Sequence, residues 1–67
     1  MSIQEQIKCV EREIALRKSV YPKLVERGKM RQDTAERELK TMEAVLETVK
    51  RAEYMERMGV IHTHYRV

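Results

Sequence analysis

Apolar residues recur in this chain by alternating steps of four and three. Ile3, Ile7, Val10, Ile14, Tyr21 and Leu24 form a first run in which Arg17 takes one beat, and Ala35, Leu39, Met42, Leu46 and Val49 form a second. That spacing lines one seam of an α-helix, because about 3.6 residues complete a turn. Between the runs lies Val20 to Met30, reading V-Y-P-K-L-V-E-R-G-K-M. Two helical runs joined by one corner predict an all-α fold, an antiparallel two-helix hairpin whose cores are the two seams.

The ends of the helices carry their own signals. Ser2 and Glu5 have capping-box spacing, in which the serine oxygen accepts from the Glu5 amide while the Glu5 carboxylate accepts from the Ser2 amide. Helix one is therefore expected over about residues 2 to 27. Pro22 lies inside it, lacks an amide hydrogen and crowds the carbonyl of Lys18, so a straight helix there would cost about 3 kcal/mol and a kink is expected. Gly28 suits the left-handed position just past a helix end, and Met30 can staple back onto the next helix. Helix two is expected over about residues 31 to 58, with Asp33 and Glu36 complementing the positive end of its dipole. Val45 and Ala52 widen its seam. Glu36/Lys40, Glu47/Arg51 and Glu53/Arg57 stand four apart with the acid first, the favourable order for a helix surface pair. After Ala52 the seam falters, since Glu53 and Glu56 hold the next positions, and residues 59 to 67 read as an extended or flexible tail.

Arg17 interrupts the first seam with a stem long enough to cover apolar neighbours while its guanidinium reaches water or an acid on the facing helix. Beside that seam runs a second stripe, Cys9, Leu16 and Val20, so helix one has an apolar face wide enough for two neighbours. The chain has no Phe or Trp and three Tyr among 67 residues, which leaves a single hairpin with a thin core. Dimerisation into a four-helix bundle is the expected remedy.

Charge divides the chain. Residues 8 to 31 hold eight Lys or Arg against three Glu, a balance of +5, and residues 32 to 58 hold five against seven acids, a balance of −2. Opposite signs favour the antiparallel pairing of the halves, and they also raise a nucleic-acid reading for the basic helix, with Arg17, Lys18, Lys23 and Arg27 as its candidate face. Against that reading stand the interspersed acids, the missing aromatic stacking platform and a corner longer than that of a helix-turn-helix. No catalytic constellation is visible, and neither a metal nor another cofactor is expected. His62 and His64 lack further ligands nearby, and Cys9 is distant in sequence. One cysteine excludes an intrachain disulfide and fits a reducing cytoplasm, while the absence of a long apolar run or a signal-like start argues against a membrane or secreted protein. Met55, Met58, Val60, Ile61 and Tyr65 continue the apolar content beyond the seam and are the candidate partner-binding patch, flexible Met side chains being suited to foreign surfaces.

The order C-V-x-R-E-I-A-x-R (Cys9 to Arg17), V-Y-P (Val20 to Pro22), G-x-M (Gly28 to Met30), A-x-x-E (Ala35 to Glu38) and M-x-A-V-L-x-T (Met42 to Thr48) resembles a family of small helical-hairpin proteins encoded by phages and prophages of proteobacteria. The resemblance covers roughly residues 3 to 52 and brings no catalytic motif. Where its members often carry Thr after G-x-M, this chain has Arg31. It implies an accessory phage protein in the bacterial cytoplasm that binds and modulates a host protein, for example a transcriptional regulator such as a quorum-sensing activator, a pilus motor or a defence complex. The sequence thus points to a non-enzymatic binding module that pairs with itself and with a host protein, and the alternative is a small DNA-binding regulator using the basic first helix.

Overall fold

The computed structural model describes residues 1–59, which form two α-helices, α1 (Ile3–Glu26) and α2 (Gln32–Met58), packed against each other as a hairpin. The hairpin measures 51 × 21 × 15 Å with a radius of gyration of 16.0 Å. A compact chain of this size would have a radius of gyration of about 11 Å. Two long parallel rods therefore describe the shape.

Each helix end follows from local chemistry. At the start of α1 the Ser2 amide donates to Glu5 Oε1 at 2.9 Å and the Glu5 amide donates to Ser2 Oγ at 3.1 Å, which satisfies two amides that have no partner inside the helix. Pro22 is accommodated without ending α1, which runs on for one more turn. The chain then reverses through Gly28 at φ 71°, with the Gly28 amide donating to the Val25 carbonyl and the Lys29 amide donating to that of Leu24. Those two bonds are the Schellman arrangement, which needs a left-handed residue. At Gly28 an added Cβ would meet nothing within 4 Å, so the cost of Gly28→Ala is that of backbone alone. We expect a loss of about 1 kcal/mol in chemical denaturation. An unchanged midpoint would mean that the corner relaxes into another turn.

α2 begins without a side-chain cap. Arg31 occupies the N-cap position and its guanidinium instead donates to both carboxylate oxygens of Asp33, at 3.2 and 3.0 Å. Only the dipole-compensating Asp33 in the first turn supports this end. The other end closes on Gly59 at φ 75°.

Between the helices, Ile14 (7% exposed) and Ala35 (5%) are the buried residues among those described. Ile3, Ile7, Val10, Tyr21, Leu24, Leu39, Met42, Leu46 and Val49 are each partly covered, all turned toward the facing helix. Two parallel cylinders touch along a line, so residues flanking that line stay half open however well they pack.

Candidate interaction surfaces

Two cross-helix ion pairs fix the register and mark one flank of the hairpin. Lys18 Nζ stands 3.5 Å from Glu43 Oε2, and Lys50 Nζ stands 3.8 Å from Glu11 Oε2. As one number rises the other falls, which is the antiparallel order. The residues nearby on this flank are charged as well, among them Lys8, Lys40, Glu47 and Arg57. These partners are about half exposed, and such pairs add on the order of 0.5 kcal/mol each. Their value lies in register more than in strength.

The opposite flank is built around Arg17. Its Nε donates to Glu13 Oε1 at 3.0 Å, its Nη1 donates to the Tyr21 hydroxyl at 3.3 Å, and the same Nη1 lies 3.7 Å from Glu38 Oε1 on α2. The hydrogen bond to Glu13 raises the Arg17 pKa above its ordinary value, against a smaller lowering by burial. The guanidinium therefore stays charged across the accessible pH range. The side chain that breaks the apolar seam is thus used to tie the two helices together.

Positions seven apart on a helix point in nearly the same direction. From Glu13 on this flank, one heptad leads to Val20, with Leu16 between them and Cys9 a heptad before Leu16. From Glu38, one heptad leads to Val45 and a second to Ala52, with Thr41, Thr48 and Met55 in the intervening positions. The row Thr41, Val45, Thr48, Ala52, Met55 carries no charge. Its two hydroxyls are turned inward, Thr41 Oγ1 donating to the Arg37 carbonyl at 2.9 Å and Thr48 Oγ1 to that of Ala44 at 3.1 Å. This back-bonding satisfies the hydroxyl within its own helix. The result is an apolar strip in which Leu16 is 56% exposed, Val45 42% and Val20 38%. Cys9 is exposed on the same strip with a free thiol. The sequence shows Cys9, Leu16 and Val20 directly. The α2 half is visible there only as an absence of charge at four-three spacing from Glu38 to Met55.

Several sequence expectations change here. The second stripe of α1, Cys9, Leu16 and Val20, is exposed beside the seam. Val45 does not widen the seam but opens to solvent. Of the three acid-first pairs on α2, Glu53/Arg57 forms at 3.3 Å, whereas Glu36 accepts from Gln32 at 2.9 Å and neither Glu36/Lys40 nor Glu47/Arg51 is an ion pair among the described residues. Arg17, Lys18, Lys23 and Arg27 do not make one basic face: Arg17 belongs to the Glu13 and Glu38 cluster, and Lys18 turns to the other flank to meet Glu43. Met55 and Met58 are exposed near the end of α2, Met55 on the apolar strip and Met58 around the helix from it. Val60, Ile61 and Tyr65, the rest of that patch, lie outside the described residues, as do His62 and His64.

The grooves between the helices are open to solvent. The one between Ile7, Lys8, Glu11, Lys50 and Glu53 holds about 310 Å³ and the one at the corner, between Tyr21, Pro22, Val25, Ala35 and Leu39, about 130 Å³, and neither is enclosed as a ligand pocket is. Among the described residues no group of three His, Cys, Asp or Glu could hold a metal ion, and no helix is long and apolar enough to cross a membrane. Set against family models, curated proteins and solved structures, the chain matches none.

Proposed function

We propose that this chain is a non-enzymatic binding module that works by protein–protein contact, pairing with itself and docking on a target protein. The observation that carries the reading is the set of exposed apolar side chains Leu16, Val20 and Val45, gathered around the internally paired Arg17, Glu13 and Glu38 and left in solvent beside a seam that buries little. Exposed apolar groups gathered on one flank, with the cross-helix ion pairs Lys18–Glu43 and Glu11–Lys50 on the other, are what an interface requires and what a solvated face does not. The phage resemblance supplies the setting: a bacterial cytoplasm and a host protein such as a transcriptional regulator, a pilus motor or a defence complex.

A second reading has one observation in its favour. Lys23, Arg27 and Lys29 are exposed close to the corner and make no ion pair among the described residues, so that end of the hairpin could meet a phosphate backbone. The two readings separate by salt. Captured by the full chain from host lysate, a protein partner held through apolar surface stays bound between 50 and 200 mM salt, whereas DNA retained through a handful of phosphate contacts weakens by roughly 10²-fold or more over that interval. Retention of DNA with that steep slope, and no protein retained, would replace the first reading by the second.

A further inference from the structure

We propose that the flank bearing Leu16, Val20 and Val45 is the surface on which a second copy of this chain packs, giving a four-helix bundle with a two-fold axis through the middle of the strip. The assignment rests on the reading that the chain self-associates and says where it does so.

Three features of the strip fit a second copy. The first is size. On α1 the bulky Leu16 and Val20 stand a turn apart with the smaller Cys9 beyond them, and on α2 the bulkier Val45 and Met55 alternate with the shorter Thr41, Thr48 and Ala52. With α1 laid antiparallel over the α2 of the other copy, Leu16 and Val20 face the stretch in which Thr41 and Thr48 flank Val45, and two-fold symmetry repeats the fit. The second is charge. The charged groups on this flank are Glu13 and Glu38 against Arg17, Lys23 and, a heptad past Val20, Arg27, a balance of +1, so two copies meet with little net repulsion although the chain as a whole carries +3. The crossed arrangement also sets the basic half of one copy, at +5, over the acidic half of the other, at −2; α1 over α1 would oppose like charges.

The third feature is extent. Cys9 to Val20 on α1 and Thr41 to Met55 on α2 are both centred near the middle of their helices, so a two-fold axis running along the strip, parallel to the helices, sets α1 of each copy antiparallel over α2 of the other and overlays the hairpins along their whole length. With α1 at 24 residues, the overlap is about 36 Å long and, across two helices, about 20 Å wide. That is about 700 Å² from each copy, close to the roughly 800 Å² per partner of a specific interface. The half-open residues Val10, Met42 and Val49 would then gain a second covering layer.

Cys9 provides a test that leaves the native chain unaltered. It lies on the strip, exposed in the single hairpin, and a second copy in the proposed arrangement covers it. We expect sedimentation equilibrium to show a monomer–dimer equilibrium at micromolar concentration, and alkylation of Cys9 by a small maleimide to slow at least tenfold as the dimer becomes dominant. In the double variant Cys9→Ser, Tyr54→Cys the new thiol sits on the charged flank and should react at one rate across the same range. A dimer in which Cys9 stays as reactive as in the monomer would overturn the assignment of this flank while leaving self-association standing. A chain that remains a folded monomer throughout overturns self-association, and the assignment with it.

Discussion

Leu46→Asp should abolish the helical circular dichroism signal at room temperature, while the neighbouring Glu47→Ala should shift the unfolding free energy by no more than about 0.5 kcal/mol. The two flanking ion pairs, Lys18 with Glu43 and Glu11 with Lys50, bracket Leu46 and place it at the level of Ile14, the best covered large side chain in the described hairpin. An aspartate there loses the apolar burial of leucine, about 2 kcal/mol. Its carboxylate must also give up water beside Ile14, and the cations nearest to it, Arg17, Lys18 and Lys50, are already held by Glu13 and Glu38, Glu43 and Glu11, so this adds roughly a further 1 to 3 kcal/mol. A chain of 67 residues has a total stability of about 3 to 10 kcal/mol. A loss of about 4 kcal/mol is therefore enough to unfold it at the thin end of that range. Glu47 faces solvent one residue along, so it loses little besides a helix-surface charge. Equal melts for the two variants would mean that the seam runs on a different face.

The hairpin was legible because its information is periodic. Each seam residue advances the four-three pattern, Ser2 and Glu5 announce a cap, and Gly28 announces a reversal, so local signals agree about one fold. Arg17 shows why even the break in the pattern was readable: the stem is long, and an acid on the facing helix was within its reach. What the sequence did not show is which flank of the hairpin stays bare. That depends on which residues pair across the helices, and rules for surface pairs within one helix select Glu36/Lys40 and Glu47/Arg51 equally with Glu53/Arg57, the pair that forms. Exposed pairs of this kind are too weak to be decided by spacing alone. The apolar character of Thr41 and Thr48 was hidden as well, because a threonine counts as polar until its hydroxyl is seen bonded to the carbonyl four residues back.

Ile14→Ala and Leu16→Ala, two residues apart, should separate what holds one hairpin together from what joins two. Ile14 is 7% exposed and Leu16 is 56% exposed. Truncating Ile14 removes buried methylenes and leaves a gap between the helices, at a cost of about 2 to 3 kcal/mol, the low end of the range for such changes because the neighbours are half open and can settle inward. That loss belongs to the single hairpin and should lower the melting temperature by the same amount at every protein concentration. Truncating Leu16 removes a side chain that is more than half in solvent in the single hairpin. At concentrations where one copy stands alone, its melt should match the wild type, or even rise slightly through the better helix propensity of alanine. The difference should emerge on concentration, as the wild type gains stability by mass action from its second copy and Leu16→Ala gains less. Differential scanning calorimetry from about 5 μM to 500 μM decides between these behaviours. Parallel concentration dependence in the wild type and Leu16→Ala would place the joining surface elsewhere than the strip, and a concentration-independent loss for Leu16→Ala would mean that this side chain serves the single hairpin after all.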